Sequence, residues 1–207
     1  MRVDVERRSG FTAGDRSDEP LDERRLLTRI AEGDRGEFEK LYRAYYPRLF
    51  GYLFRLIRDA GAVEETLNDV MLAVWRQAGQ FRGDSRVSTW IFGIAYRQAM
   101  RSVRRTKSQP LLVEPEDHLL PVDSRDAETE TLESELRLTL NAALEQLTPE
   151  HRAVVELTYY YGYSYADIGR IVGCPENTVK TRMFHARRKL RSLVPELAAL
   201  VSTKERS

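Results

Sequence analysis

The first half of the chain carries apolar residues at the three- and four-residue spacing of amphipathic helices. A first helix is expected to begin after Asp22, and Asp34 is a candidate N-cap for the second. Pro47 falls inside the second segment and is expected to kink it or divide it in two. Further helices are predicted from about 62 to 78 and from near 88 to about 107. The apolar stripes of these four segments consist of Leu26, Leu27 and Ile30; Phe38, Leu41, Tyr42, Tyr45, Leu49, Leu53 and Leu56; Leu67, Val70, Met71, Val74 and Trp75; and Trp90, Ile91, Ile94 and Ala95.

The helical period disappears in the middle of the chain and then returns. Residues 108–129 carry three prolines and no such period, which indicates a linker. Where the pattern resumes, Thr148 is a candidate N-cap and Pro149 a candidate first helical residue. The residues that carry the renewed pattern are Leu132, Leu136, Leu140, Leu144 and Leu147.

No long alternation of the kind that marks β-strands occurs in the sequence. The sequence therefore predicts an all-α fold of two small helical domains joined by a flexible acidic linker. The predicted boundaries are a disordered N-terminal tail at 1–21, a first domain at 22–107, the linker at 108–129, a second domain at 130–195 and a C-terminal tail at 196–207.

Residues 164–193 show the pattern of a helix-turn-helix. Ser164 and Asp167 have the spacing of a capping box, and Gly173 lies where a tight turn between helices needs a positive φ. Cys174 is expected to be a cap or packing residue at that turn, and Pro175 the first residue of the next helix. The apolar face of this next helix consists of Val179, Met183, Ala186, Leu190 and Leu193.

The opposite face of that helix is basic and suits the major groove of DNA. Lys180 and His185 are candidate donors to base edges or phosphates, Phe184 a candidate contact to a thymine methyl, and the arginines candidate phosphate ligands. A helical hairpin with a solvated basic face is the alternative. The expected DNA-binding residues are Asn177, Lys180, Thr181, Arg182, Phe184, His185, Arg187 and Arg188.

Charge is unevenly distributed, although the formal net charge is only +1. Basic residues dominate 82–107 and 178–191, whereas 114–135 is strongly acidic. This pattern indicates two modules that face nucleic acid, separated by a linker; two solvated helix faces are the alternative. The single cysteine excludes an intrachain disulfide or multi-cysteine metal site, and the histidines lack metal-ligand spacing. We therefore expect no metal and no cofactor.

The chain has no apolar run near the roughly 20 residues that span a bilayer, and its N-terminus lacks the apolar centre of a secretory signal. We therefore expect a cytoplasmic protein without direct membrane insertion. No paired-carboxylate, nucleophile-plus-base or phosphate-loop pattern appears, so neither enzymatic activity nor a small-molecule substrate is expected.

Five motifs, in order and at the right separation, resemble the extracytoplasmic-function (ECF) sigma factors over about 24–107 and 130–193. Residues 81–95 (FRGDSRVSTWIFGIA) resemble the promoter-melting part, and 64–75 (EETLNDVMLAVW) the polymerase-binding helix. Residues 41–49 (LYRAYYPRL) resemble the segment before that helix. The motifs that resemble the domain binding the −35 promoter element are 147–152 (LTPEHR) and 178–182 (TVKTR).

The resemblance implies that core RNA polymerase is the main protein partner, contacted at its β′ clamp helices and its β flap. It implies promoter DNA and a cognate anti-sigma factor as further partners, and a linker that threads the RNA exit path of the polymerase. The residues implied in polymerase binding are Glu65, Asn68, Asp69 and Leu72.

The resemblance also implies that the loop before the fourth helix, with the start of that helix, captures an unstacked base of the −10 element. Such capture needs aromatic walls and cations along the strand. Core packing is the alternative for Phe81 and Trp90. Many relatives carry asparagine where this chain has Tyr96-Arg97-Gln98, which leaves the −10 base preference open. The residues implied are Phe81, Arg82, Asp84, Ser85, Arg86, Thr89, Trp90, Tyr96, Arg97 and Arg101.

A second hypothesis is an autonomous helix-turn-helix regulator that binds duplex DNA as a dimer without polymerase. It explains residues 164–193 but gives no role to 62–107. Tight sequence-specific binding without polymerase would favour this alternative.

Overall fold

The computed structural model describes residues 22–108 and 139–194, which form helices joined by short turns, with no strand in either range. The first domain contains α1 (Glu23–Ala31), α2 (Arg35–Ile57), α3 (Ala60–Gln77), a 3₁₀ turn (Ala78–Gln80) and α4 (Val87–Ser108). The second contains α5 (described over 139–145), α6 (Pro149–Tyr159), α7 (Tyr165–Val172) and α8 (Glu176–Leu193). The all-α, two-domain prediction is confirmed.

The starts of the first three helices are fixed by aspartates whose side chains accept hydrogen bonds from backbone N–H groups. Asp22 accepts from Arg25, and Asp34 accepts from Gly36 and Glu37. Asp59, which was not predicted, caps α3 in the same way. These caps separate α1, α2 and α3 by turns of only two or three residues, so that the helices fold back on one another.

The prediction that Pro47 could divide the second helix is wrong, because α2 is one helix from Arg35 to Ile57. Proline removes one backbone hydrogen bond and costs about 3 kcal/mol in a helix interior. Tyr45 and Leu49, on either side of it, are 2% and 0% exposed. Burial of the apolar residues of α2 between Leu41 and Leu56 outweighs this cost.

Capping side chains and residues with restricted or positive φ also set the helix ends of the second domain. Thr148 accepts a hydrogen bond from the His151 amide, with Pro149 in the first turn, as predicted. Gly173 has φ 71°, so the predicted turn between α7 and α8 is confirmed. The prediction for Pro175 is wrong by one position, because this residue is the N-cap of α8 and the helix begins at Glu176. The proline's fixed φ suits either place.

Of the predicted linker, 108–129, only the first residue lies among the described residues. Ser108, predicted as its first residue, is the last residue of α4. Residues 109–138, which include the rest of that linker and the start of the predicted second domain, lie outside the described residues, as do 1–21 and 195–207.

The two domains pack directly against each other. Helix α4 of the first domain lies along α7 of the second, and α2 contacts α6. None of the described helices is long and apolar enough to cross a membrane.

Candidate DNA and polymerase interfaces

The basic face of α8 is the most exposed part of the predicted DNA-binding surface. Val179, Met183 and Ala186 are at most 2% exposed and anchor the helix to α6 and α7. Phe184, on the other side, is 62% exposed. A large aromatic ring in solvent among cations suits contact with thymine methyl groups in the major groove. The other predicted residues that are exposed are Asn177, Lys180, Thr181, His185 and Arg188.

Several side chains of this face already have partners within the chain. Lys180 forms an ion pair with Glu176 at 2.8 Å, and the Thr181 hydroxyl donates to the Asn177 carbonyl at 3.0 Å. The Arg187 guanidinium donates to the Tyr159 hydroxyl at 2.9 Å. The exposed ion pair contributes little to stability, so Lys180 can exchange Glu176 for a phosphate at small cost.

His151 joins the edge of this surface, a contact that sequence reasoning missed. Its ring stacks on that of His185, with centroids 6.1 Å apart and planes at 24°. Burial first, and then the charges of His185 and Arg182, lower the pKa of His151. The pair borders a cavity of about 550 Å³ that also contains Thr148 and Arg188. The two histidines are 34 positions apart in the sequence, and no sequence pattern links them, because only the packing of α6 on α8 brings them together.

The loop of residues 81–86 presents predicted −10 residues on the first domain. Gly83 turns the loop with φ 78°, and its carbonyl accepts a hydrogen bond from Arg24 of α1 at 3.0 Å. The Phe81 and Trp90 rings lie 5.5 Å apart, and both are half-buried. They therefore combine core packing with an accessible edge. The predicted residues of this region that are exposed are Arg82, Asp84, Arg86, Arg97 and Arg101.

Two of the predicted −10 residues do not face solvent. Thr89 is 2% exposed, and Tyr96 is 7% exposed. Burial raises the pKa of the Tyr96 hydroxyl, while the charge and hydrogen bonding of Arg182 act in the opposite direction. Arg182 belongs to α8, so one predicted −10 residue and one predicted −35 residue meet between the domains. Together with Arg97, Arg101 and Glu150, they line a cavity of about 400 Å³.

The predicted polymerase-binding residues share one exposed face of α3. Asn68 and Asp69 are exposed, and Leu72, a large apolar residue, is 44% exposed. Glu65 forms an ion pair with Arg105 of α4 at 3.0 Å. Tyr42, predicted to lie in the core, is only half-buried and belongs to the wall of this site.

A groove of about 470 Å³ runs between α2 and α3 beside this face. Its aromatic wall is built by Phe38 and Trp75, whose rings meet edge to face at 5.1 Å. The other residues that line it are Arg35, Tyr42, Asn68, Met71 and Leu72. An apolar groove bordered by polar residues is the form that protein-binding sites commonly take.

Comparison with known families gives two matches in chain order. The family model Sigma-70 region 2 matches residues 41–109, and the model Sigma-70, region 4 matches residues 137–190. The ECF RNA polymerase sigma factor SigM of Mycobacterium tuberculosis is 34% identical over 169 residues, which cover 82% of this chain and 83% of SigM. The RNA polymerase sigma factor CarQ of Myxococcus xanthus is 30% identical, covering 83% of this chain and 97% of CarQ.

Solved structures share the fold. CnrH, in complex with the cytosolic domain of CnrY, matches with a TM-score of 0.61 at 20% identity, covering 82% of this chain and 95% of CnrH. RpoE of Bartonella quintana, in complex with the anti-sigma factor NepR, matches with a TM-score of 0.58 at 22% identity, covering 76% of this chain and 96% of RpoE. Since both region models match and a relative exceeds 30% identity over four-fifths of the chain, this protein belongs to the ECF RNA polymerase sigma factors, which direct RNA polymerase to promoters.

Proposed function

We propose that this sigma factor binds core polymerase through the exposed face of α3, opens the −10 element with α4 and its preceding loop, and reads the −35 element with α8. The observation that carries the polymerase contact is Leu72, which is 44% exposed next to Asn68 and Asp69 and beside the aromatic groove. Apolar area surrounded by polar side chains is what a protein partner can bury. The β′ clamp helices are the proposed occupant, and the β flap is the proposed contact of the second domain.

Opening of the −10 element needs preferential binding to the separated strand, because a ligand shifts an equilibrium only by its differential affinity. Arg82 and Arg86 are exposed on the loop, where they can hold phosphates of a single strand. The half-buried pair of Phe81 and Trp90 offers aromatic surface to an unstacked base. The chain then acts by binding alone, in the cytoplasm with the polymerase, and makes or breaks no bond.

The second domain would read the −35 element as duplex. The 62% exposure of Phe184 and the cations around it support placement of α8 in the major groove. We place the first domain at 22–108, with Ser108 at the end of α4, the linker at 109–129 and the second domain at 130–195. RpoE, which shares the fold, is bound by an anti-sigma factor. We infer that a partner of this class controls the present chain.

Run-off transcription with purified core polymerase, on fragmented DNA from the source genome, tests the proposal. The decisive variant is Asp69→Lys, which reverses one charge on the α3 face. Glu32→Lys is the matched control, because it makes the same charge change at an exposed residue after α1. We expect discrete transcripts with the parent and with E32K. D69K should need at least about tenfold more protein, since a repulsive charge at an interface weakens association.

Two results would contradict the proposal. Equal activity of D69K and E32K would remove the α3 face from the polymerase interface. Sequence-specific duplex binding by the chain alone, without any protein-dependent transcript, would favour the autonomous regulator.

A further inference from the structure

The cavity of about 550 Å³ beside α8 is lined by side chains that can carry positive charge and by no acid among the described residues. Arg188 and Lys189 line it from α8, where both are exposed. The other two potential cations are the stacked rings of His151 and His185. No described carboxylate forms an ion pair with any of these four side chains. A concave surface with positive charge and no counter-ion from the chain itself is suited to an anion.

The histidine pair is held in place from both sides. The amide of His151, in the first turn of α6, donates to the Thr148 hydroxyl at 3.3 Å. On the other side, the Phe184 ring meets the His185 ring edge to face at 5.5 Å. The two imidazole planes are only 24° from parallel, so the N–H groups of each ring, which lie in its plane, point away from the other ring. Both rings can therefore donate to a third group.

The charged groups around the pair favour an anion as that third group. His151 faces Glu150 on its own helix, and on α8 it faces His185 and Arg182. The turn before α6 contributes only uncharged residues to the cavity. Burial lowers the pKa of His151, the charges of His185 and Arg182 lower it further, and Glu150 acts in the opposite direction as the smallest influence. Since two protonated rings repel each other, an anion that contacts both would remove this penalty.

The position of His151 points to the sugar–phosphate backbone of DNA rather than to base edges. An α-helix with its side chains is about 10–12 Å wide and the major groove is about 12 Å wide, so α8 would fill the groove. A side chain that stands beside α8 on another helix then lies at the rim of the groove, where the phosphates run. His151 of α6 has this position, next to His185 of α8.

We propose that the stacked histidines, with Arg188 and Lys189 beside them, bind a backbone phosphate of the −35 duplex, and that the histidines do so in their protonated form. This inference rests on the proposed role of α8 in the −35 duplex. It assigns a DNA contact to α6, outside the helix-turn-helix. A phosphate beside the rings favours their protonated form, so protons are taken up on binding and the affinity for promoter DNA increases as the pH falls.

The test measures binding of the full-length chain, assembled with core polymerase, to a fluorescent promoter duplex whose sequence comes from the run-off transcripts. The dissociation constant is measured at constant ionic strength from about pH 8 to about pH 6, a range that spans histidine titration. The parent should bind more tightly at the lower pH, by up to about tenfold for each pKa unit that the phosphate adds to a ring. The slope of log K against log salt concentration should also steepen, by about 0.9 for one phosphate neutralised only at low pH.

Glutamine substitutions remove the titrating rings and keep a side chain that forms hydrogen bonds. The double variant H151Q/H185Q should lose the extra affinity at about pH 6 and match the parent at about pH 8, where the rings are neutral. His118→Gln is the matched control, because it makes the same change at the third histidine of the chain, in the predicted linker. It should keep the pH dependence of the parent. His185→Arg, which is charged at every pH, should bind more tightly than the parent at about pH 8.

Two results would overturn the phosphate contact while leaving α8 in its −35 role. The first is an equal pH dependence of promoter binding in H151Q/H185Q and H118Q. The second is a loss of affinity in the double variant by the same factor at every pH, because the rings would then have a purely structural role. Absence of any promoter complex at every pH is a different result, which would contradict the proposed function and this contact with it.

Discussion

Replacing Gly169 by alanine tests how tightly the helix-turn-helix is closed. A Cβ atom there would lie 2.8 Å from the Cys174 carbonyl oxygen. That carbonyl belongs to a turn fixed by the positive φ of Gly173 and by a 3.0 Å hydrogen bond from the Cys174 amide to the Gly169 carbonyl. Neither side of the contact is a flexible side-chain tip, so the backbone itself must move. Overpacking costs about 1–3 kcal/mol, and the rigid turn points to the upper half of that range.

Alanine recovers part of this cost, because it is favoured over glycine in a helix by up to about 1 kcal/mol. The free energy of unfolding of G169A should therefore fall by about 1–2 kcal/mol. Urea unfolding followed by circular dichroism measures it, and at a slope of about 2 kcal/mol per molar the midpoint should fall by roughly 0.5–1 M.

Gly93→Ala is the matched control, and the opposite sign is expected. The nearest atom to a Cβ on Gly93 is the Arg97 Nη1 at 3.5 Å, an ordinary contact with a flexible side chain. G93A should therefore stabilise the chain by about 0.5–1 kcal/mol. A G169A variant as stable as the parent would refute the reasoning, because it would mean that the turn yields without cost.

Two further predictions concern α8 and its neighbour. Arg188→Ala should weaken binding to all duplexes and reduce the slope of log K against log salt concentration by about 1. Phe184→Ala should mainly reduce discrimination between DNA sequences. Salt titrations of binding to matched and scrambled −35 duplexes distinguish the two effects. Burial, together with the charges of His185 and Arg182, lowers the pKa of His151 below its ordinary value of 6.5. The His151 ring therefore binds a proton less readily in the folded state than in the unfolded state. As a consequence, the free energy of unfolding should fall as the pH drops through 6.5. A ring titration by NMR should show His185→Ala raising the His151 pKa, and a value at or above 6.5 in the parent would contradict this account.

Features that depend on local chemistry were predictable from the sequence. Asp34, Thr148 and Ser164 cap their helices because a side-chain oxygen reaches an amide two or three residues ahead. The Ser164 hydroxyl also donates to the Asp167 carboxylate at 2.7 Å, a variant of the capping box that the short aspartate allows. Phe184 was placed on the exposed face by helical spacing alone.

Features that depend on tertiary packing were not predictable. Pro47 signals a break, yet burial of the residues around it keeps α2 continuous. Tyr96 was expected to be available to DNA, but it is only 7% exposed, and Arg182 of α8 lies beside it. Arg55 and Glu156 are 101 positions apart, and nothing in either neighbourhood indicates that they meet. Gly169 was not predictable for the same reason. Only the packing of the turn against α7 leaves no room for a Cβ atom at this position.

Arg152 joins α6 to the end of α5. Its guanidinium donates to the carbonyls of Glu145 at 2.7 Å, Leu144 at 2.9 Å and Leu147 at 3.4 Å, which lie at the end of α5 and in the turn that follows it. A fourth hydrogen bond, at 3.1 Å, reaches the Arg55 carbonyl of the first domain. Three of the four hydrogen bonds therefore lie within the second domain. A single side chain thus holds the corner between α5 and α6 together.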